Sequence, residues 1–545
     1  MKLSTIFLLL LPLVASAAGN DHDHDGVMTK LRASNSNKDN KDNKDVAQDS
    51  NCNAADTESS CMSSSNDEDG TPCVWCDCSA IPSECLTLEQ SQSVPPGVFD
   101  CKSPTSSSSI LERMSLSEQP VDDDFCDANS LSGYIGIDAS QYDKDGENKH
   151  LFYWMFQKRQ SDITDITIPL VVWLTGGPGC SSSLALLTEN GPCKVNDDDK
   201  TTTLNPYSWT EAAHVLWLDQ PAGVGFSYGS ETDSNEDMIS EDAYWFLQKF
   251  VAEHPEYAQN PLFIVGESYG GHYAPAIAHR VFQYNQALPS DDAIVLNLAG
   301  VAVGNGLTNP EVQYQYYPDM AYNNSHGIEV ISKAEYDTMK AIVPKCTALI
   351  HQCNAGDSAF NSFACQSAFL VCNMGLTSPY QATGLNPYDI RKQCEVPPLC
   401  YDFSGITDFM NSKDTRAALG VTKESHKWES CNMGINMKFH TDWMKDFSHY
   451  IADLADGGIP NLIYAGDVDF ICNYLGNQAW TYQLEWKGGE DFRAAGTHDW
   501  KGVGLARSHG PLTFLQVYDA GHMVPGDQPE VALNMISAFV RGEEF

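Results

Sequence analysis

The chain has 545 residues, of which 42% are hydrophobic, so it can form more than one domain and a sizeable core. Its formal net charge of -41 and sequence pI near 4.5 exclude nucleic acid as a favoured partner, because the phosphates would repel it. The same charge suits an acidic compartment, where protonation of carboxylates reduces self-repulsion.

The first 17 residues predict a secretory signal peptide. Lys2 is followed by the apolar run IFLLLLPLVASA, and Ala15, Ser16 and Ala17 offer small residues for cleavage. This run is too short for a transmembrane helix, and we expect no membrane span elsewhere in the sequence. The sequence therefore predicts a protein of the secretory pathway, extracellular or in a vacuole or lysosome, with disulfides permitted.

Three segments precede the main domain. Residues 18–50 are polar, low in complexity and predicted to be disordered, and we interpret the alternating His and Asp residues near their start as solvated rather than metal-binding. Residues 51–101 hold seven of the 18 cysteines and predict a small disulfide-stapled module that binds a partner or serves as a pro-segment. Residues 102–125 are interpreted as a linker.

An α/β domain is predicted over residues 126–545. Helical stretches such as EDAYWFLQKFVAEH alternate with continuous apolar runs that end in Gly-, Pro- or Asp-rich segments. Such runs are typical of strands buried on both faces of a mostly parallel sheet, whose functional side chains lie at the carboxyl ends. The six runs are IPLVVWLTGG, HVLWLDQPAG, PLFIVGES, VLNLAGVAVGNG, PNLIYAGDVD and LTFLQVYDAGHM.

Residues 310–425 interrupt this alternation with polar and helical patterns. They contain six cysteines, which we expect to pair among themselves: Cys346, Cys353, Cys365, Cys372, Cys394 and Cys400. The segment is predicted to be a largely helical, disulfide-linked lid inserted over the site.

A candidate nucleophile lies in the stretch LFIVGESYGGHYAPAIAHRVF. The pattern G-x-S-x-G centred on Ser268 follows a predicted strand and precedes a predicted helix, which is the context of a nucleophile elbow. The small residues Gly266 and Gly270 permit the strained turn that exposes the serine hydroxyl. The alternative is a small-residue turn with no catalytic role.

A serine nucleophile needs a base and an acid that orients the base. Asp469 follows the strand in YAGDVD, and His522 follows the last predicted strand in YDAGHM. Serine, acid, histidine is the chain order of α/β-hydrolase triads. The sequence therefore predicts a triad of Ser268, Asp469 and His522, against the alternative that His522 is a structural turn residue.

The glycine-rich turn in VVWLTGGPGCSS predicts an oxyanion hole. It lacks the GK[ST] of a phosphate loop, so bound phosphate is not expected. The N–H of Gly177 and that of Tyr269, directly after the nucleophile, are the expected donors to a tetrahedral oxyanion.

Six motifs in one order resemble the serine carboxypeptidase family: WLTGGPGCSS, NPYSW, LDQPAGVGFSY, GESYGGHYAP, YAGDVDFICN and GHMVP. The resemblance spans residues 126–545. It implies an α/β-hydrolase fold. It also implies an enzyme that releases C-terminal amino acids from peptides and proteins with a free C-terminus, through an acyl-enzyme. No cofactor and no metal are predicted, and the oligomeric state is left open.

The resemblance also implies how the C-terminal carboxylate of a substrate is bound. The acid pair of the family falls on Glu267 and Glu189, and two close carboxyls hold a proton with a raised apparent pKa. A protonated pair can donate a hydrogen bond to the substrate carboxylate, which implies activity at acid pH. Trp173 and Gly176 belong to the same subsite, and Thr175 stands where many members have Asn.

Thr175 keeps a second activity open. Threonine occurs here in some carboxypeptidases and also in plant acyltransferases that resemble them. Those acyltransferases usually carry Asp before the nucleophile and lack the second Gly of SYGG, whereas this chain keeps both GE and GG. A carboxypeptidase is therefore favoured, with an acyltransferase as the alternative. A non-catalytic binding protein is disfavoured because all three triad residues are present.

Further residues are implied by the family. Cys472 matches an unpaired cysteine near the site, Met523 a residue on the leaving-group side, and Cys180 and Cys431 a disulfide pair. If Cys472 is free, 17 cysteines remain, so at least one more is free or bonded to another chain. Asn323 lies in the only N-x-[ST] sequence and predicts sparse N-glycosylation.

Overall fold

The computed structural model describes residues 52, 61, 73–77, 83–91, 100–102, 110–121, 126, 129–144, 148–198, 200–290, 292–356 and 358–545. The chain divides into two compact units, Met1–Ser106 and Ser107–Phe545. The predicted signal peptide and the low-complexity segment lie outside the described residues.

The first unit contains a small antiparallel sheet in the order β2-β1-β3. Disulfides join Cys52 to Cys73 and Cys61 to Cys85, and these cysteines are buried around the ring of Trp75. Cysteine sulfur thus supplies much of the interior of a segment that has few apolar residues. Its elements are β1 (Val74–Asp77), β2 (Glu84–Leu86), helix α1 (Leu88–Ser91) and β3 (Asp100–Lys102).

The second unit is built on one large sheet with two short hairpins beside it. Its strands are β4 (Leu116–Val121), β5 (Ser130–Ile137), β6 (Lys149–Phe156), β7 (Leu170–Thr175), β8 (Cys193–Val195), β9 (Thr202–Leu204), β10 (His214–Leu218), β11 (Tyr228–Gly229), β12 (Leu262–Glu267), β13 (Leu298–Gly304), β14 (Leu385–Asn386), β15 (Asp389–Gln393), β16 (Asn461–Gly466), β17 (His498–Trp500), β18 (Gly504–His509) and β19 (Leu512–Val517). The sheet order is β17-β18-β19-β16-β13-β12-β7-β10-β6-β5-β4, with β11 paired to β6.

The six central strands, from β19 to β10, run parallel to one another. They are the six apolar runs of the sequence, so the prediction of a parallel core is confirmed. The strands on both flanks are antiparallel, which makes the sheet mixed. One flanking strand, β4, lies within residues 102–125, so part of the segment interpreted as a linker belongs to the sheet.

Helices pack against both faces of the sheet, and further helices form the insertion at residues 310–425. They are α2 (Ile110–Arg113), α3 (Ser182–Thr188), α4 (Glu236–Glu253), α5 (Gly270–Gln286), α6 (Pro310–Gln313), α7 (Tyr317–Tyr322), α8 (Lys333–Asn354), α9 (Ala359–Cys372), α10 (Ser378–Gln381), α11 (Ser404–Asn411), α12 (Lys413–Ala418), α13 (Met433–Lys438), α14 (Ser448–Asp456), α15 (Tyr474–Gln483), α16 (Gly489–Ala494), α17 (Val524–Asp527) and α18 (Pro529–Val540). Alternate residues of β7 enter two cores: Val172 packs with α4 and α5, and Val171 packs with α3 and α18.

The insertion at residues 310–425 contains α6 to α12 and the β14–β15 hairpin. The capping box of Ser332 and Glu335 begins its longest helix, α8. Its six cysteines pair within it, as Cys346–Cys372, Cys353–Cys365 and Cys394–Cys400. The predicted internal cross-linking is therefore present, and it ties α8 to α9.

Two more disulfides, Cys126–Cys193 and Cys180–Cys431, link distant parts of this unit. Cys472 is buried and is the one free thiol in the described part of the chain. Across the same ranges, no helix combines the length and the apolar character needed to cross a bilayer. Asn323 is exposed where α7 ends, so its side chain is accessible to a glycan.

A buried cation lies at the start of β6. The Nζ of Lys149, which is 0% exposed, is 2.6 Å from Asp143 Oδ1, 2.6 Å from Asp233 Oδ1 and 2.8 Å from Asp242 Oδ2. These carboxylates are close enough together to bind a metal ion, but the Lys149 ammonium already contacts each of them. The Lys149 ammonium offsets part of the mutual repulsion of these three carboxylates.

Replacing Lys149 with Met should therefore destabilise the fold by about 3–5 kcal/mol, because it leaves buried carboxylates facing one another without a cation. The measurement is the guanidinium midpoint of unfolding. The matched control is Lys340→Met, since the Lys340–Asp319 pair has a lysine side chain that is 42% exposed; we expect a change below about 1 kcal/mol there. Equal shifts for the two variants would contradict a buried charge balance at Lys149.

Candidate active site

Ser268 lies in the sharp turn between β12 and α5. Its φ of 65° is in the left-handed region, which is uncommon for a residue other than glycine. Three backbone hydrogen bonds hold it there: Ser268 N–H donates to Gly304 O at 3.1 Å, and Ser268 O accepts from Gly271 N–H at 2.9 Å and from Leu307 N–H at 2.9 Å. The strain of this conformation, about 1–3 kcal/mol, is thus opposed by contacts with the end of β13 and the loop after it.

The carboxyl ends of β7, β12 and β13 lie at one level of the sheet. Glu267 is in register with Thr175 on one side and with Gly304 on the other. The loop after β7 approaches the elbow closely, because a Cβ on Gly176 would lie 2.3 Å from Tyr269 N and 2.6 Å from Glu267 O. Glycine at position 176 is therefore required for the two turns to meet.

His522 and Asp469 are hydrogen-bonded to each other. The Nδ1 of His522 lies 2.8 Å from Asp469 Oδ2, and Asp469 is fully buried. The carboxylate also accepts from Ile471 N–H at 3.1 Å, Cys472 N–H at 3.2 Å and Asn305 Nδ2 at 2.8 Å. These donors hold Asp469 as an oriented acceptor, so that the imidazole presents Nε2 to the substrate side.

Asp469 and His522 follow the neighbouring strands β16 and β19, two and three positions from the elbow strand in the sheet. Asp469 is close enough to Glu267 to raise the pKa of its carboxyl, and His522 is close enough to Glu189 to oppose the rise of its pKa. The predicted residues therefore lie near one another. Among the described residues, the Ser268 hydroxyl makes no hydrogen bond with His522. Hydrogen bonds of this kind are often long before a substrate is bound.

Asn305 was missed in the sequence reasoning. Besides donating to Asp469, its Oδ1 accepts from Gly466 N–H at 3.0 Å, so it links the ends of β13 and β16. The available signal was its place in GNG, directly after a predicted strand, where functional side chains collect.

Two backbone donors are available beside the serine. Within the described ranges, the N–H groups of Gly177 and Tyr269 make no hydrogen bond to protein groups. Tyr269 is also the N-cap residue of α5, at the end of the helix where its dipole is positive. Both features suit an oxyanion that develops on a carbonyl attacked by Ser268.

The two predicted acids meet in the interior. Glu189 and Glu267 are each 3% exposed and share a side-chain hydrogen bond. Burial raises the pKa of Glu189 to about 7, and burial together with the neighbouring Glu189 raises the pKa of Glu267 well above its usual value. The pair therefore keeps a proton at acid pH. One oxygen of each carboxyl has no hydrogen-bond partner among the described residues.

Thr175 and Trp173 form a short chain beside this pair. The fully buried indole of Trp173 donates from Nε1 to Thr175 Oγ1 at 2.9 Å, and Thr175 N–H donates to Ser182 Oγ at 3.1 Å. Because the Thr175 oxygen accepts from Trp173, its own O–H remains able to donate to a ligand. The indole of Trp173 is thus hydrogen-bonded to Thr175, which lies in register with Glu267.

The remaining predicted residues border the same site. The Cβ of Met523 and the Cγ of Glu189 would lie 3.8 Å and 3.6 Å from a Cβ on Gly526, so Met523 is on the side of the acid pair. Burial raises the pKa of the Cys472 thiol well above its usual value, so this cysteine stays protonated. The insertion also reaches the site, because the backbone carbonyl of Tyr388 accepts a hydrogen bond of 2.8 Å from the backbone N–H of His522.

Comparison with known proteins gives one consistent match. The sequence profile described as serine carboxypeptidase matches residues 120–542. Carboxypeptidase Y of Komagataella phaffii is 42% identical over 420 residues, 76% of each chain. Serine carboxypeptidase-like 48 of Arabidopsis thaliana is 42% identical over 401 residues, 72% of this chain and 75% of that one. The crystal structure of KEX1(delta)p, a prohormone-processing carboxypeptidase from Saccharomyces cerevisiae, matches with a TM-score of 0.67 and 25% identity, covering 76% of this chain and 92% of that one.

Replacing Asn305 with Ala should slow the reaction of Ser268 with a fluorophosphonate probe. The change removes a hydrogen bond to the buried Asp469 carboxylate, which is worth about 1.5–3 kcal/mol and corresponds to a rate loss of roughly 10- to 100-fold. Asn260→Ala is the matched control, since Asn260 is also buried and its Nδ2 donates to Ile168 O at 2.8 Å, away from the site. If a folded Asn305→Ala protein reacts with the probe at the wild-type rate, the hydrogen bond from Asn305 to Asp469 does not contribute to the reactivity of Ser268.

Proposed function

The chain belongs to the serine carboxypeptidase family and is a serine-type carboxypeptidase that acts on peptides, and we propose that Ser268, Asp469 and His522 are its catalytic residues. The observation that carries this proposal is the His522–Asp469 hydrogen bond of 2.8 Å, at the same edge of the sheet as the strained Ser268. An acyltransferase is not favoured, because the relatives found are carboxypeptidases.

The proposed reaction begins when His522 Nε2 takes the proton of the Ser268 hydroxyl as its oxygen attacks the last peptide carbonyl. Asp469 stabilises the imidazolium that forms. The oxyanion accepts hydrogen bonds from Gly177 N–H and Tyr269 N–H. His522 then donates its proton to the leaving amino group, and the C-terminal amino acid departs. Water, activated by His522, hydrolyses the acyl-enzyme and restores Ser268.

The acid pair supplies the preference for a free C-terminus. In our proposal, Glu189 and Glu267 share a proton and one of them donates a hydrogen bond to the substrate carboxylate. The Thr175 hydroxyl donates a second one, with Gly176 lining the subsite. Two ionised carboxylates would instead repel the substrate. The subsite therefore distinguishes a terminal carboxylate from an internal peptide bond, which makes the enzyme an exopeptidase.

The charge of the chain and the disulfides agree with an oxidising, acidic destination. We propose that the protein enters the secretory pathway and acts outside the cell, in a vacuole or in a lysosome. We also propose that the cysteine-rich module at residues 51–101 is an accessory segment, either a pro-segment or a partner-binding module, rather than part of the catalytic domain.

Replacing Ser268 with Ala should abolish release of the C-terminal amino acid from a blocked dipeptide. The expected loss is at least about 10⁴-fold in kcat, because nucleophile and base act as one unit. The measurement is free amino acid by mass spectrometry, with glucose-ester and alcohol acceptors in parallel samples to detect acyl transfer. Retained release in the Ser268→Ala protein would contradict the assignment of the nucleophile.

The acid pair predicts a pH dependence that depends on the substrate. Peptide hydrolysis should be fastest while the pair holds its proton, and kcat/KM should fall as the pH rises through about 7, the raised pKa of Glu189. The C-terminal amide of the same dipeptide needs no protonated pair and should not show this fall. Glu267→Gln, whose side chain donates at every pH, should weaken the alkaline decline for the peptide. An identical pH profile for peptide and amide would contradict the proposed role of the pair.

A further inference from the structure

The phenol of Tyr269 is anchored by a residue that is distant in the sequence. Its ring is buried, and its hydroxyl donates to Asp442 Oδ2 at 2.9 Å across 173 residues of sequence. The ring stacks on His272, with centroids 4.3 Å apart, and contacts Trp443 at 5.3 Å. The residue that supplies one oxyanion donor through its backbone is thus fixed through its side chain.

The stretch that carries Asp442 also holds the other oxyanion loop. Within residues 430–443, here named the support segment, Cys431 is bonded to Cys180. In the same segment, Asn432 N–H donates to Gly179 O at 2.8 Å, and Asn436 Nδ2 donates to Pro178 O at 3.1 Å. These contacts begin one residue after Gly177. One continuous segment therefore touches the loops that bear both expected donors.

We propose that Asp442 is a positioning residue, which holds the Tyr269 N–H in line with the oxyanion through the Tyr269 phenol. This inference rests on the proposed function, in which that N–H stabilises the tetrahedral intermediate. Asp442 touches neither substrate nor reacting atoms, and its effect passes through the side chain of Tyr269.

The physical need for such an anchor follows from the elbow. The direction of the Tyr269 N–H is set by the peptide plane that joins it to Ser268, whose left-handed conformation is strained. An oxyanion donor is effective only at about 2.7–3.1 Å from the developing charge, and a displacement of about 1 Å can cost a factor of about 100 in rate. A fixed phenol at the far end of the side chain limits rotation of this plane.

The surroundings of Asp442 direct its hydrogen bond to Tyr269. Asp442 is 6% exposed, and the phenol of Tyr269 is the side-chain donor it accepts from in the described structure. The backbone of Glu236 also lies against the Asp442 carboxylate. The buried carboxyl of Glu236 is close enough to interact electrostatically with Asp442, and neither of its oxygens has a hydrogen-bond partner among the described residues. Burial raises the pKa of Asp442 to about 7, and an oxygen of its carboxyl can accept from the phenol in either protonation state.

The test compares Tyr269→Phe, Asp442→Ala and the double variant. Tyr269→Phe keeps the ring and its stacking but removes the hydroxyl. We expect each single variant to lower kcat by about tenfold with KM unchanged, because the bond acts on the transition state. Affinity for a peptidyl boronate, which forms a tetrahedral adduct with the serine, should fall by the same factor. The double variant should lose no more than either single one, since both remove one contact.

Two controls separate positioning from general loss of structure. Tyr153→Phe removes another buried phenol that donates to a carboxylate, that of Glu118, on a flanking strand, and it should leave kcat and boronate affinity unchanged. Asp442→Asn keeps an acceptor oxygen for the phenol and should retain activity within about threefold of wild type.

The proposal is overturned if folded Tyr269→Phe keeps both the wild-type kcat and the wild-type boronate affinity, or if the losses of the two single variants add fully. If the wild-type protein releases no C-terminal amino acid, the proposed function has failed by itself. The rates of fluorophosphonate labelling of the same variants then still decide the role of Asp442, because that reaction also passes through the oxyanion hole.

Discussion

The proposed recognition of the substrate carboxylate depends on the hydrogen bond between Glu189 and Glu267. Glu267 is the last residue of β12, so the carboxyl proposed to bind the substrate carboxylate directly precedes the proposed nucleophile, Ser268. A negative charge there would oppose the anion that forms on the substrate. A pair that keeps a proton avoids this conflict, and it offers a donor where a free carboxylate must bind. The acid next to the nucleophile is therefore compatible with catalysis because it is buried against a second acid.

The sheet brings the acid pair close to the other residues of the proposed active site. Six parallel strands end at one edge, and the turns after them supply the elbow, the oxyanion loop and the His522–Asp469 pair. Contacts between these turns keep them in place: Asn305 ties β13 to Asp469, and the support segment ties Tyr269 to the loop after β7. Strain at Ser268 is tolerated because several independent hydrogen bonds converge on it.

The sequence was informative where the chemistry is local. Continuous apolar runs identified the six parallel strands, because residues buried on both faces leave no polar alternation, and the elbow is contained in five consecutive residues. Strand β4 was missed because its sequence, LSEQPV, is mostly polar and contains Pro120, which an edge strand tolerates. Asn305 was missed although it directly follows a predicted strand, because its partner Asp469 lies 164 residues away. Asp442 was missed because its partner lies 173 residues away, and neither its identity nor its spacing indicates such a contact. Glu189 was found only through the family resemblance, since a lone glutamate after a helix has no local signature.

The central claim is that a shared proton on the acid pair recognises the substrate carboxylate. Isothermal titration calorimetry can test this claim by measuring the number of protons taken up when a ligand binds. The experiment uses the Ser268→Ala protein, which we expect to be inactive, in buffers of different ionisation enthalpy at a pH above 7. A blocked dipeptide with a free C-terminus should take up a substantial fraction of a proton when it binds, because only the protonated pair accommodates its carboxylate. The C-terminal amide of the same dipeptide should take up less. Equal proton uptake for the two ligands would contradict the account.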